Sequence, residues 1–146
     1  MSEYIKERES STLEFKSQYT KEALKTVSAY ANYGTGTILF GVKDDGEVLL
    51  LEDPNKMALT IENAINDSIS PTPKYSIQIK GSTGPVELVV QEGKEKPYYY
   101  NNRAYRRDDA SSRPVDTTAL NRLVLEGENL PLTKLEHRTR TSPLTT

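Results

Sequence analysis

Residues 20–46, TKEALKTVSAYANYGTGTILFGVKDDG, predict a helix, a buried strand and a tight turn in immediate succession. Apolar side chains recur at helical spacing after Thr20, which is the predicted N-cap of the helix. Gly34 suits the left-handed conformation that ends many helices. Residues 37–42 are apolar on both faces, which is typical of a strand covered on two sides. Residues 44–46, Asp-Asp-Gly, then supply the chemistry of a hairpin turn.

The rest of the chain places paired strands between helices. Strands are predicted at residues 12–16, 47–51, 75–80, 86–91, 98–100 and 103–107, with Asn101-Asn102 as a two-residue turn. A second helix, capped by Asp53, has the core face Met57, Leu59, Ile61, Ala64, Ile65 and Ile69, and a third helix covers residues 116–125. Because the strands come in adjacent pairs, we predict an α+β fold with a mixed, mainly antiparallel sheet packed with two to three helices.

Composition limits the class of protein. We assign residues 1–126 to one domain and residues 127–146 to a C-terminal tail or the start of a linker to a further domain. No apolar run approaches the roughly 20 residues that span a bilayer, and the N-terminus lacks a secretory signal, so a cytoplasmic location follows by elimination. The absence of cysteine excludes disulfides and thiolate metal sites, and a single histidine, His137, argues against a hydrolytic triad.

A basic and aromatic stretch is the main candidate for binding. The net charge of the whole chain is −2, so nucleic-acid binding would have to come from a local patch. Residues 94–113 contain six lysines and arginines against three acids, with four tyrosines interleaved. Arginines contact phosphates and tyrosines offer stacking faces, a combination typical of single-stranded nucleic-acid binding. The alternative is a solvated hairpin whose tyrosines cover the core and whose arginines pair with Asp108 and Asp109.

Five separated motifs follow one another along residues 7–125. They are Glu9-x4-Glu14-Phe15-Lys16, Lys21-Glu22-x8-Ala31-Asn32, Gly41-Val42-Lys43-Asp44-Asp45-Gly46, Glu92-Gly93 with Lys96-Pro97-Tyr98, and Tyr105-Arg106-Arg107. In order and spacing they resemble the Schlafen AlbA-like domain, which also stands at the front of the divergent AAA family of bacterial transcriptional regulators. Two departures are Gly34-Thr35-Gly36 in place of a glycine pair, and Asp108-Asp109 where a glycine often follows the arginines.

The resemblance implies an α/β core, a role with nucleic acids and a candidate carboxylate site. In some vertebrate members, paired glutamates and an aspartate form a metal-dependent RNA-cleaving site, and the matching positions here are Glu9, Glu14 and Asp44. Three carboxylates can hold Mg²⁺ or Mn²⁺ and generate a hydroxide. The alternative, which we favour, is that Glu14 pairs with Lys16 or Lys43 and that Asp44 makes a turn.

We therefore predict a nucleic-acid-binding module, the DNA-binding N-terminal part of a bacterial transcriptional regulator. It would contact DNA or RNA through Lys16, Lys43, Arg103, Tyr105, Arg106 and Arg107. No resident cofactor or membrane is expected. One alternative is a metal-dependent endoribonuclease using Glu9, Glu14 and Asp44 with Mg²⁺ or Mn²⁺. The other is an oligomerisation or protein-interaction module that uses exposed strand edges. Relatives arrange two such lobes side by side, which implies a homodimer.

Overall fold

The computed structural model describes residues 3–128, which form three helices and eight strands in two sheets. The elements are β1 Leu13–Lys16, α1 Ala23–Tyr33, β2 Gly36–Phe40, α2 Pro54–Ser68, β3 Ile69–Ser70, β4 Tyr75–Ile79, β5 Val86–Val90, β6 Tyr99–Tyr100, β7 Arg103–Asp108, β8 Ser111–Pro114 and α3 Thr117–Gly127. The predicted α+β class is confirmed. Residues 129–146, which hold His137 and most of the predicted tail, lie outside the described residues. None of the described helices has the length and apolar character needed to span a bilayer.

The first sheet has the strand order β1-β2-β5-β4. β1 runs parallel to β2, with Leu13 opposite Thr37, whereas the β2–β5 and β4–β5 pairs are antiparallel. This sheet is therefore mixed and mainly antiparallel, as predicted. β2 ends at Phe40 because the next residue, Gly41, has a φ of 95°, a left-handed conformation that favours glycine.

Helix α1 is buried on more than one side. Nine of its eleven residues are buried. Its apolar side chains pack into one cluster with β2, β5 and the inner face of α2, through Leu24, Val27, Tyr30, Ala31, Ile38, Phe40, Ile61, Ile65, Val86, Leu88 and Val90. The buried set also includes the polar residues Thr26, Ser28 and Asn32. These small polar side chains lie toward the second sheet, so the helix packs between the two sheets.

Two polar side chains of α1 satisfy backbone groups of β7 and of Tyr98, the residue just before β6. Asn32 accepts a hydrogen bond from the Tyr98 N–H at 2.7 Å and donates one to the Tyr98 carbonyl at 3.0 Å. The Ser28 hydroxyl donates to the same carbonyl at 2.8 Å and accepts from the Tyr105 N–H at 3.1 Å. Backbone groups buried at this contact would otherwise be unpaired, which is costly.

The second sheet is antiparallel with the order β3-β6-β7-β8. Asn101 and Asn102 have φ values of 57° and 66°, which confirms the predicted two-residue turn between β6 and β7. β8 was absent from the sequence prediction. It is a short edge strand of mostly exposed, polar residues. Its sequence therefore lacks the alternation of apolar and polar residues from which a strand is predicted.

The ends of the first helix differ from the prediction. α1 begins at Ala23 with Glu22 at the N-cap position, and no side chain caps it. Thr20 instead contributes its carbonyl, which accepts from the Ala23 N–H at 3.1 Å. Gly34 has a φ of 164°, which is extended backbone, so the predicted left-handed conformation is wrong.

The predicted strand at residues 47–51 and the predicted core position Leu59 are wrong. Residues 47–51 form only isolated bridges, because their backbone groups bond partly to Gly41 and Val42 and partly to the N-terminal segment at Glu3. Leu59, predicted as core, is 57% exposed on α2, whereas Ile69 is buried but belongs to β3. The predicted cap at Asp53 is confirmed, since its carboxylate accepts from the Lys56 N–H at 3.0 Å.

We predict that Asn32→Ala lowers the free energy of unfolding by about 2 kcal/mol, because it leaves the buried Tyr98 N–H unpaired and removes one of the two donors to the Tyr98 carbonyl. Urea denaturation followed by circular dichroism measures this. The matched control is Asn66→Ala, because the Asn66 side chain accepts one exposed hydrogen bond from Tyr75. Its cost should stay near 0.5 kcal/mol, roughly the level of surface changes. Equal losses in the two variants would contradict the role given to Asn32.

Candidate nucleic-acid interface

Arg107, predicted to contact nucleic acid, is buried inside the domain. Its side chain and that of Glu14 are each 6% exposed, and the two form an ion pair at 2.5 Å. The guanidinium also donates to the carbonyls of Ser10 at 2.9 Å and Ser11 at 3.3 Å. It lies over the ring of Tyr30, 5.6 Å from the ring centroid. These partners occupy the guanidinium within the protein.

Glu14 is the centre of the same buried network. Its second carboxylate oxygen accepts from the Thr26 hydroxyl at 3.1 Å and lies 3.5 Å from the Lys16 ammonium. Thr26 in turn shares a hydrogen bond of 2.7 Å with the Ser112 hydroxyl of β8. The network therefore connects β1 of the first sheet, α1, and β7 and β8 of the second sheet. Burial raises the pKa of the adjacent Tyr30 hydroxyl well above its usual range, although Arg107 opposes this shift.

The other predicted contacts fall into two groups. Tyr105 is buried, with its ring near that of Tyr100, so it offers no free stacking face in this conformation. Lys43 lies 3.5 Å from Glu47, and Lys16 is paired with Glu14 as described above. By contrast, Arg103 and Arg106 are exposed on β7, and neither guanidinium has an ion pair or hydrogen bond within residues 3–128.

The carboxylates Glu9, Glu14 and Asp44 do not form a metal site in the described structure. Glu9 accepts a hydrogen bond from the Phe15 N–H at 2.9 Å, and the Glu14 oxygens are engaged by Arg107 and Thr26. Asp44 is exposed in the turn after β2. Across residues 3–128, no group of three or more acidic, histidine or cysteine side chains is arranged to hold a metal ion. These residues therefore do not fit Mg²⁺ or Mn²⁺ in this conformation.

A groove of about 500 Å³ lies between α1, β7 and α3. Its lining includes the buried residues Ala29, Tyr30 and Leu123, and the exposed charged or aromatic side chains that line it include Tyr33, Arg106 and Arg122. Tyr33 is 44% exposed at the end of α1. Arg122 is exposed on α3 and, like Arg106, has no side-chain partner within the described part of the chain.

The sequence prediction missed Tyr33 and Arg122. Tyr33 was assigned only to the end of the first helix, and Arg122 lies on the exposed side of the third. A local signal existed for each, since both are polar positions beside apolar ones in an amphipathic helix. No local signal places them beside Arg106, because this neighbourhood requires α1, β7 and α3 to be packed together.

Comparison with family models gives a match over residues 9–116 to the family described as Schlafen, AlbA_2. The chain belongs to the Schlafen AlbA_2 family. This confirms the resemblance drawn from the five motifs. The matched region of this Schlafen AlbA_2 domain contains β1 to β8 and ends just before α3, so Arg122 lies beyond it. A comparison with curated proteins gives no match.

Two solved structures are similar to the chain. One is the N-terminal domain of a RecG-related protein from Nitrosomonas europaea, with 21% identity, 73% of this chain and 78% of that chain covered, and a TM-score of 0.49. The other is the DIP2311 protein from Corynebacterium diphtheriae, with 19% identity, 79% of this chain covered and a TM-score of 0.53. The match covers 24% of the DIP2311 chain, and at this identity the likeness concerns the fold alone.

We predict that Arg107→Ala destabilises the protein by about 3–5 kcal/mol, because it leaves the buried Glu14 carboxylate without its cation. Arg106→Ala, which removes an exposed neighbour of the same type, is the matched control and should change stability by about 0.5 kcal/mol or less. Thermal and urea unfolding measure both. The double variant Glu14→Leu, Arg107→Met should be more stable than Arg107→Ala, because no charge stays buried and unpaired. Equal stability of Arg106→Ala and Arg107→Ala would refute this assignment.

We predict that millimolar Mg²⁺ or Mn²⁺ leaves the melting temperature of the protein unchanged. A ligand that binds only the folded state raises the melting temperature, and Glu14 is already engaged by Arg107. Differential scanning fluorimetry with metal and then with chelator measures the effect. Asp44→Asn is a suitable variant because Asp44 is exposed. A metal-dependent rise that disappears in Asp44→Asn would restore the carboxylate site.

Proposed function

We propose that this Schlafen AlbA_2 domain binds nucleic acid through a local basic surface on β7 that is centred on Arg106. The observation that carries the proposal is the state of this arginine, which is exposed at the groove and has no carboxylate partner within residues 3–128. Its sequence neighbour Arg107 forms a buried ion pair with Glu14. We therefore assign nucleic-acid binding to Arg106 and not to Arg107. Family membership supports the same class of partner.

Electrostatics require such a surface to be local. The chain as a whole has a net charge of −2, so its overall field does not attract a polyanion. Several cations are paired with nearby acids, among them Lys25, Lys43, Lys80, Lys96 and Arg113, and Lys16 shares Glu14 with Arg107. Arg106 at the groove keeps its donors for phosphate oxygens, and so does Arg103, which strand alternation places on the other face of β7. Phosphate contacts supply most of the affinity of sequence-independent binding.

More specific roles remain predictions from the sequence. They are DNA binding as the N-terminal part of a bacterial transcriptional regulator, a homodimeric state, and a cytoplasmic location. Comparing duplex DNA with RNA of the same sequence would test the first. Light scattering with and without nucleic acid would separate a binding module from an oligomerisation module. The endoribonuclease alternative has no support from the positions of Glu9, Glu14 and Asp44.

We predict that the double variant Arg103→Ala, Arg106→Ala binds nucleic acid more weakly and with a shallower salt dependence than the wild type. For single strands, each lost phosphate contact should reduce the slope of log K against log salt concentration by about 0.7, and for duplex DNA by about 0.9. Fluorescence anisotropy with labelled single- and double-stranded DNA and RNA, from low to moderate salt, measures both quantities.

The matched control is Lys56→Ala. Lys56 is an exposed cation on α2 that lines none of the described clefts, so its loss changes the net charge without touching the proposed surface. It should keep nearly wild-type affinity and salt slope. If the wild type binds none of the four probes at low salt, or if the arginine double variant matches Lys56→Ala, the proposed function is wrong.

A further inference from the structure

We infer that the groove between α1, β7 and α3 holds one nucleotide of a single strand, with its base on Tyr33 and its phosphate between Arg106 and Arg122. This inference rests on the proposed function and specifies the form of nucleic acid and the residues that select it. Neither Tyr33 nor Arg122 belongs to the motif residues on which the sequence prediction relied. Arg122 also lies beyond the part of the chain that matches the family.

The first step is the aromatic platform. Tyr33 is the last residue of α1 and is 44% exposed, so part of its ring is open to a ligand. The preceding turn of the helix is fixed, because Ala29, Tyr30, Ala31 and Asn32 are buried. Burial raises the pKa of Tyr33, and Glu126 raises it further, whereas Arg106 lowers it. The phenol therefore stays neutral near physiological pH and does not repel a phosphate.

The second step is the charge of the groove. Three arginines and one glutamate line it. Arg107 is paired with Glu14, and Glu126 shares the Lys96 ammonium with Glu92, at 2.9 and 2.6 Å. Among the charged residues that line the groove, Arg106 and Arg122 are the two with no ion-pair partner within residues 3–128, so the lining carries more positive than negative charge. The groove thus offers guanidinium donors to an anion next to an aromatic ring, which is the combination that a nucleotide requires.

The third step is the shape of the site. A volume of about 500 Å³ falls in the range of small-ligand pockets, and its lining includes the partly buried Ala119 together with the buried Ala29 and Leu123. A base in a duplex is stacked and paired, so its faces are unavailable to a side chain in a groove. An unpaired base offers a free face, which is why stacking on aromatic residues is typical of single-strand binding. The geometry therefore selects single strands.

The fourth step is the position of α3, which forms one wall. Leu123 is fully buried, and Lys96 bridges Glu126 of α3 and Glu92 at 2.9 and 2.6 Å. Burial lowers the pKa of Lys96, but the hydrogen bonds to Glu92 and Glu126 outweigh this effect and raise it. A Cβ at Gly127 would collide with the Lys96 carbonyl oxygen, so glycine allows this close approach. Helix α3 is therefore held in place without Arg122, which stays available to the ligand.

The experiment compares Tyr33→Ala with Tyr33→Phe, and Arg122→Gln with Lys56→Ala, in the full 146-residue chain. The probes are labelled oligo-dT and oligo-U, a duplex DNA of equal length, and a free mononucleotide as competitor. Tyr33→Ala should bind single strands roughly 5- to 150-fold more weakly, the equivalent of one lost stacking contact, whereas Tyr33→Phe keeps wild-type affinity. Arg122→Gln should reduce the salt slope for single strands by about 0.7, and Lys56→Ala should not.

The outcomes separate this inference from the proposed function. If the wild type binds neither strands nor duplex, the proposed function fails and the groove assignment fails with it. If the wild type binds nucleic acid but prefers duplex, or if Tyr33→Ala binds single strands as well as Tyr33→Phe does, nucleic-acid binding survives and the groove assignment is overturned. Where the wild type binds the labelled single strands, the free mononucleotide should displace them, and a failure to displace them at millimolar concentration would overturn the one-nucleotide site. Circular dichroism melts of all variants exclude unfolding as the cause of a loss.

Discussion

The burial of α1 against two sheets is the constraint on which the remaining structure depends. A helix covered by a sheet on one side needs an apolar stripe, and α1 supplies it toward β2 and β5. Covered on a second side, it must also satisfy the backbone of the strands that reach it, and Ser28 and Asn32 do so for Tyr98 and Tyr105. Hydrogen bonds of this kind have strict geometry, so they fix the second sheet in one position relative to the helix.

The pair Arg107 and Glu14 extends this arrangement from the helix to the first sheet. Arg107 of β7 contacts Glu14 of β1, and its guanidinium also donates to the carbonyls of Ser10 and Ser11 just before that strand. A buried pair of this kind is weak evidence for net stability, but it holds its partners in one register. Glu14 and Arg107, which the sequence predicts as catalytic and binding residues, engage each other in the described structure, whereas Arg106 of the same motif has no ion-pair partner within residues 3–128.

Prediction from sequence succeeded where the deciding information is local. The hairpin at Asn101-Asn102 and the cap at Asp53 follow from the chemistry of adjacent residues, and both are present. The failures have the opposite origin. β8 is a strand because β7 lies beside it, not because its own polar sequence favours extension. Residues 47–51 share their backbone with an N-terminal segment that is distant in sequence, so an apparent hairpin partner is reduced to bridges.

The sequence by itself determined the α+β class, the helix, turn and buried strand of residues 20–46, and the family, because periodicity, turn residues and motif spacing are properties of neighbours along the chain. Only the tertiary structure decided which basic residues are available. Arg106 and Arg107 are adjacent and chemically identical, but successive side chains of a strand point to opposite faces. Both arginines line the groove with Tyr33 and Arg122, but the Arg107 guanidinium is paired with Glu14, whereas Arg106 is exposed and has no carboxylate partner within residues 3–128. Whether an arginine of β7 is paired or exposed depends on which distant elements pack beside it, and a local sequence pattern contains no information about those elements.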